Sequence, residues 1–174
     1  AESYKEVDGS FHIAQSYNPP MSDANRSRSF SGIKALNPDA KITYEDQYYE
    51  LLQTSSKKYT VKDAMDLQRN RFEGMDLKPL DQMELDGKGK PDGKKAVDGY
   101  AYPISNPNVM EAHIFQLKDK LPKEFGGGVM WLAVGSPRNA PYLPYYGNIT
   151  DTYKAYKDKS SDYSPDSWYW VISH

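Results

Sequence analysis

The run Gly135-Ser-Pro-Arg-Asn-Ala-Pro-Tyr-Leu-Pro144 is the segment whose residues and placement best suit a binding loop. Arg138 and Asn139 stand side by side in it. Their guanidinium and amide are both hydrogen-bonding groups. The run joins an apolar stretch to an aromatic one, and loops placed by strands commonly carry binding groups. The same residues also suit an ordinary strand connection with an exposed arginine. Both readings stand at this point.

Other groups point to less. Glu111 and His113 are two apart, so on a strand they share a face. His12 and His174 lie far off in sequence, which favours a hydrogen-bonding role over a metal site. The Gly87 to Lys95 cluster has no glycine five positions before Gly93 and no Ser or Thr after Lys94, so it is not a phosphate loop. Lys88 and Lys90 stand where a calcium loop needs oxygen ligands. Asn148-Ile149-Thr150 matches a glycosylation acceptor, which matters only in a secretory context that nothing else suggests. Asp151, Asp158, Asp162 and Asp166 are scattered acids, and Gly135-Ser136-Pro137 lacks the second glycine of a nucleophile elbow. The sequence contains no cysteine, which removes disulfides, thiolate metal ligands and a cysteine nucleophile from these residues. No catalytic residue, no metal site and no cofactor is assigned, and Arg138 and Asn139 are the candidate binding residues.

The elements that must position this loop are partly visible. Met110 to Leu117 and Val129 to Val134 are apolar runs bounded by Pro and Gly, predicting an antiparallel hairpin of strands covered on both faces. Tyr142 to Tyr146 predicts a third strand, which Pro144 confines to an edge or a bulge. Two helices are expected before them. Thr43 with Asp46 and Thr60 with Asp63 both fit a capping box with Asp in place of Glu. The first helix would carry Tyr44, Tyr48, Leu51 and Leu52 on one face. The second would carry Val61, Ala64, Met65 and Phe72 and end at Gly74. Together they are expected to form one layer on a sheet. Residues 1–38 read as polar and turn-rich, with one short strand over Ser10 to Gln15. Residues 86–95, dense in Gly, Lys, Asp and Pro, predict an exposed flexible loop. Ser164-Pro165-Asp166 predicts a helix start, and the helix runs about two turns without a C-cap. A helix that short predicts a chain cut from something longer.

Composition bounds the whole. At 174 residues the chain is enough for one compact domain and short for two. Its net charge of −2 leaves no basic footprint, so no nucleic-acid partner is expected. No apolar run approaches the ~20 residues of a membrane helix, and no membrane partner is expected. Tyr at 15 against Phe at 5 gives large side chains suited to boundaries between apolar and wet surroundings. Such surfaces permit a homo-oligomer.

The runs Glu111-Ala-His-Ile-Phe-Gln-Leu117, Leu121-Pro122 and Val129-Met-Trp-Leu-Ala-Val-Gly-Ser-Pro-Arg138 continue into Tyr142-Leu-Pro-Tyr-Tyr-Gly-Asn-Ile-Thr-Asp-Thr-Tyr-Lys-Ala-Tyr156. Together they resemble the later part of the bacterial dipeptidases of the PepD type, known from lactic-acid bacteria and streptococci. The resemblance implies an N-terminal-nucleophile hydrolase, related to penicillin and bile-salt acylases. It implies an α+β fold in which residues 1–174 are a single portion of a larger four-layer αββα hydrolase domain, antiparallel sheet covered by helices. It also implies hydrolysis of dipeptides by a cysteine that heads the mature chain, with its own α-amino group as base. With no cysteine here, that nucleophile is expected on an upstream part of the same polypeptide, and the partners expected are that upstream part and the dipeptide. Arg138 and Asn139 would then line the pocket or hold a charged end of the dipeptide. The alternatives are a non-catalytic peptide- or glycan-binding module and an acylase of the same fold. A cytoplasmic location is expected, with secreted or cell-surface as the alternative.

Overall fold

The computed structural model describes residues 6–7, 9–18, 20–50, 52–55, 57–79, 101–106 and 108–157. They fall into two compact units, one within 1–58 and 70–104, the other within 59–69 and 105–174. The expected loop over 86–95 and the helix after Ser164 lie outside the described residues.

The first unit is built on a helix that the polar reading of residues 1–38 overlooks. Strands β1 (Glu6–Val7) and β2 (Ser10–Phe11) make a small antiparallel pair, followed by the short helix α1 (Ile13–Tyr17) and then α2 (Asp23–Leu36). The strand expected over Ser10 to Gln15 therefore stops at Phe11. Beyond it the amide and hydroxyl of Ser16 both donate to the His12 carbonyl, at 3.1 and 2.7 Å, and wind the chain. The helix α2 starts at the N-cap Ser22, whose hydroxyl accepts the Asn25 N–H, and ends at Asn37. Its buried face is Ala24, Ser27 and Ser31, all small, so close approach rather than apolar bulk seats it.

The helix expected from Thr43 does not form. Thr43 donates its N–H to Asp46 Oδ2 at 2.8 Å and its hydroxyl to Asp46 Oδ1 at 2.9 Å, but the chain makes only a turn there. Asp can close such a turn by itself, which competes with continuing a helix. No apolar face rewards the helix either: Leu52 is 85% exposed. Tyr44 instead turns its ring edge-on to Phe30, under the Arg26 guanidinium 5.0 Å away.

The second unit holds a three-stranded antiparallel sheet in the order β3 (Glu111–Leu117), β4 (Gly128–Val134), β5 (Leu143–Tyr146). The expected hairpin is present, with Ala112 opposite Ala133 and Ile114 opposite Trp131. Pro144 sits on the edge strand, opposite Trp131. Helix α3 (Val61–Arg69) lies on one face. Its Met65 packs with Ile114 and Trp131 against a core of Ala112, Ala133, Ala140 and Tyr142. One helix thus covers this face, not the expected pair. It stops at Arg69, short of Gly74. Phe72, expected on its stripe, lies in the first unit at φ 74°, its N–H accepted by Asn70 Oδ1. That side-chain acceptor turns the backbone out of the helix.

Strand β3 also departs from the expectation of cover on both faces. Ala112 is buried, whereas Glu111, His113, Phe115 and Leu117 on the opposite face are exposed among the described residues. Period-two alternation governs the strand, and the apolar residues at 115 and 117 fall on its open side. The short helix α4 (Lys154–Lys157) closes the described chain. Helices and antiparallel sheet together make this an α+β fold. Among the described residues no helix is long and apolar enough to cross a membrane.

Candidate functional site

The Gly135 to Pro144 loop is held by its backbone and presents two side chains outward. Gly135 leaves β4 at φ 91°, a left-handed conformation that costs glycine little, and donates its N–H to the Met110 carbonyl at 2.7 Å. The N–H groups of Asn139 and Ala140 both turn back to the Ser136 carbonyl, at 3.0 and 3.1 Å. Pro137 and Ala140 are buried, so the loop is pinned on either side of its tip. Arg138 and Asn139 are exposed at that tip.

Two side chains from distant positions anchor this turn. Ser105 is fully buried; its Oγ accepts the Arg138 N–H at 3.1 Å and lies 3.0 Å from Ser136 Oγ. Arg69, the last residue of α3, donates Nε–H to the Pro137 carbonyl at 2.9 Å. The Arg69 guanidinium also stacks 5.0 Å over the Tyr142 ring. Tyr142 in turn donates its hydroxyl to Gln68 Oε1 at 2.5 Å, and Gln68 Nε2 donates to the His113 carbonyl on β3. Burial pushes the Tyr142 phenol up to about 12, against the opposing pull of Arg69, so it remains a neutral donor. Helix end, strand and loop are thereby tied through named polar contacts.

Of the residues singled out in the sequence, Arg138 and Asn139 are adjacent at one exposed tip. Glu111 and His113 share an exposed face as expected, with His113 Nδ1 3.0 Å from Glu111 Oε1. Among the described residues no group of three or more His, Cys, Asp or Glu is placed to hold a metal ion. Sequence reasoning missed Ser105, Arg69 and Tyr142. They lie 33, 68 and 74 residues from the groups they bind, and local spacing cannot register such contacts.

The arrangement offers a guanidinium and an amide on a fixed backbone, which suits an anionic group of a small ligand. The family model for peptidase family C69 matches residues 2–174. The chain belongs to peptidase family C69. It is 73% identical over 174 residues, its whole length, to Probable dipeptidase B of Streptococcus pyogenes serotype M3. It is also similar to Probable dipeptidase of Latilactobacillus sakei, 24% identical over 147 residues, which are 84% of the chain and 29% of that protein. Dipeptidase A of Lactobacillus helveticus is 26% identical over 146 residues, again 84% of the chain and 29% of the relative. The resemblance read from the runs between Glu111 and Tyr156 thus extends through the chain. This C69 sequence spans 35% of the length of its streptococcal relative.

Proposed function

We propose that this sequence forms part of a dipeptidase that hydrolyses the peptide bond of dipeptides. The observation that carries the reading is 73% identity, along all 174 residues, to a protein named Probable dipeptidase B. In this reading a cysteine on an upstream part of the same polypeptide heads the mature chain. Its thiolate attacks the dipeptide carbonyl carbon, and the α-amino group that took the thiol proton returns it to the departing amine. Water then cleaves the thioester and frees the second amino acid. The residues described here supply neither the nucleophile nor the base. They supply sheet, helix and a loop whose Arg138 guanidinium pairs with the free carboxylate of the dipeptide, with Asn139 hydrogen-bonding beside it. The reaction as written needs no metal or cofactor. The rest of the polypeptide and the dipeptide are the partners, and the cytoplasm is the compartment.

The test is a hydrolysis assay on the whole protein that contains this sequence. The substrates are a free dipeptide, the same dipeptide as its C-terminal amide, and an acylated amide. Hydrolysis of the free dipeptide is expected, with Arg138→Ala raising its KM about tenfold and leaving the amide unaffected, the scale of one charge-assisted hydrogen bond. Cleavage of the acylated amide in preference to both peptides would replace the dipeptidase by an acylase. Folded whole protein with no hydrolysis of any of the three would leave a binding module.

A further inference from the structure

We propose that Arg69 and Ser105 are positioning residues that set substrate affinity through the Arg138 loop. This rests on the reading of Arg138 as a carboxylate-binding residue. Neither residue is exposed at the loop tip. Ser105 is fully buried, and the Arg69 guanidinium is drawn inward over Tyr142. Each instead holds one peptide unit next to Arg138. Arg69 Nε–H reaches the carbonyl of Pro137 at 2.9 Å, and Ser105 Oγ receives the N–H of Arg138 at 3.1 Å. The carbonyl of Pro137 and the N–H of Arg138 belong to one peptide group. Gripped from both ends, that plane has no freedom to flip, and its orientation sets the direction in which the Arg138 side chain leaves the backbone.

The grip carries through to the rigid part of the unit. Arg69 ends α3, and its neighbour Gln68 bridges the Tyr142 hydroxyl to the His113 carbonyl of β3. The Ser105 hydroxyl also lies within hydrogen-bond distance of Ser136 Oγ, at the start of the same turn. A binding group supported this way is pre-organised, so little ordering remains to be done when a carboxylate arrives. Lysine in place of Arg69 keeps the charge but loses the planar Nε–H directed at Pro137, because an ammonium is a point charge without that geometry.

The experiment uses the whole protein and measures kcat and KM for a free dipeptide and its C-terminal amide. Arg69→Lys and Ser105→Ala are each expected to raise KM for the free dipeptide about tenfold, with a smaller change in kcat and no change for the amide. Added to Arg138→Ala, either substitution is expected to bring no further rise, because residues that act through one group are not additive. If Arg138→Ala leaves KM unchanged, the carboxylate reading itself fails. If Arg138→Ala raises KM while Arg69→Lys and Ser105→Ala leave it alone, the positioning proposal is overturned and the carboxylate reading survives. Equal losses on free dipeptide and amide, or full additivity with Arg138→Ala, would reduce both residues to general structural supports and also overturn it.

Discussion

Ser27 Oγ accepts the backbone N–H of Tyr102 at 2.8 Å across 75 residues of sequence. The hydroxyl also lies 3.1 Å from the Ala24 and Tyr102 carbonyls, and Ser27 has no solvent exposure. A serine on the inner face of α2 is thus the acceptor for a buried amide that has no water to turn to. Removing it leaves a desolvated donor unpaired, the costly side of hydrogen-bond energetics. Ser27→Ala is expected to lower stability by about 1–3 kcal/mol in denaturant unfolding of the whole protein. An unchanged midpoint would show that the Tyr102 amide finds another acceptor.

The same serine explains why α2 is hard to read. Hydrophobic periodicity finds helices that bury large apolar side chains, and the inner positions of α2 are Ala24, Ser27 and Ser31. Their spacing is helical but their chemistry is polar. The opposite error occurs at Thr43, where a good capping pattern precedes a turn. Thr60 N–H likewise donates to Asp63 Oδ2 at 2.8 Å, but Asp63 N–H also donates back to Thr60 Oγ1 at 3.2 Å, closing the capping box, and there α3 does follow. At Thr43 the Asp46 N–H turns to the Thr43 carbonyl at 3.4 Å instead of the hydroxyl, and a second difference lies beyond the cap: Met65 has the alanine core of the sheet to pack on, while Leu52 is exposed. Strands β3, β4 and β5 were legible because their apolar runs are short, bounded by Pro and Gly, and paired in sequence order. That Arg138 and Asn139 stand together on one loop between two strands was legible from their adjacency in the Gly135 to Pro144 run. Their anchors were not, because Arg69 and Ser105 meet the loop through folding alone.

The Thr43 turn makes a prediction about acid. The Thr43 amide, and after it the Thr43 hydroxyl, hold the Asp46 carboxyl below its ordinary range. Because the folded value is the lower one, the ionised carboxylate favours the folded turn above the ordinary aspartate range. That contribution fades as pH falls through the lowered value. Following the Asp46 carboxyl carbon by NMR should give a midpoint below that of an aspartate without such donors. Thr43→Val should recover part of the difference, since the backbone donor stays. A midpoint in the ordinary range would mean the turn is open in solution.

Ala133 sets the spacing of the sheet core. It has no solvent exposure, faces Ala112 across the β3–β4 ladder, and shares its cluster with Ala140 and Tyr142. A larger side chain there has to displace α3 or spread the strands. Ala133→Leu is expected to cost about 1–3 kcal/mol by overpacking, measured by thermal or denaturant unfolding. A neutral or stabilising result would mean the core holds room that the packing of Met65, Ile114 and Trp131 does not reveal.

Tyr142 predicts behaviour at the other end of the pH scale. Burial is the main cause that raises its phenol from 10.0 to about 12, and Arg69 opposes the shift without cancelling it. A folded value above the unfolded one means the stabilisation is fully present below the unfolded value of 10.0 and is lost as pH rises through about 12. Tyrosinate absorbance should therefore show late-ionising phenols in the folded protein, Tyr142 and Tyr49 among them, and Tyr142→Phe should reduce that late step by one phenol. The substitution also leaves Gln68 Oε1 without its 2.5 Å donor, so a loss of about 1 kcal/mol below pH 10 is expected. The two effects separate cleanly, because phenylalanine keeps the ring beneath Arg69 but has nothing to ionise. If Tyr142→Phe left the late step at full amplitude, the raised Tyr142 value would be refuted, and the Tyr49 phenol, also raised to about 12, would be the next to replace.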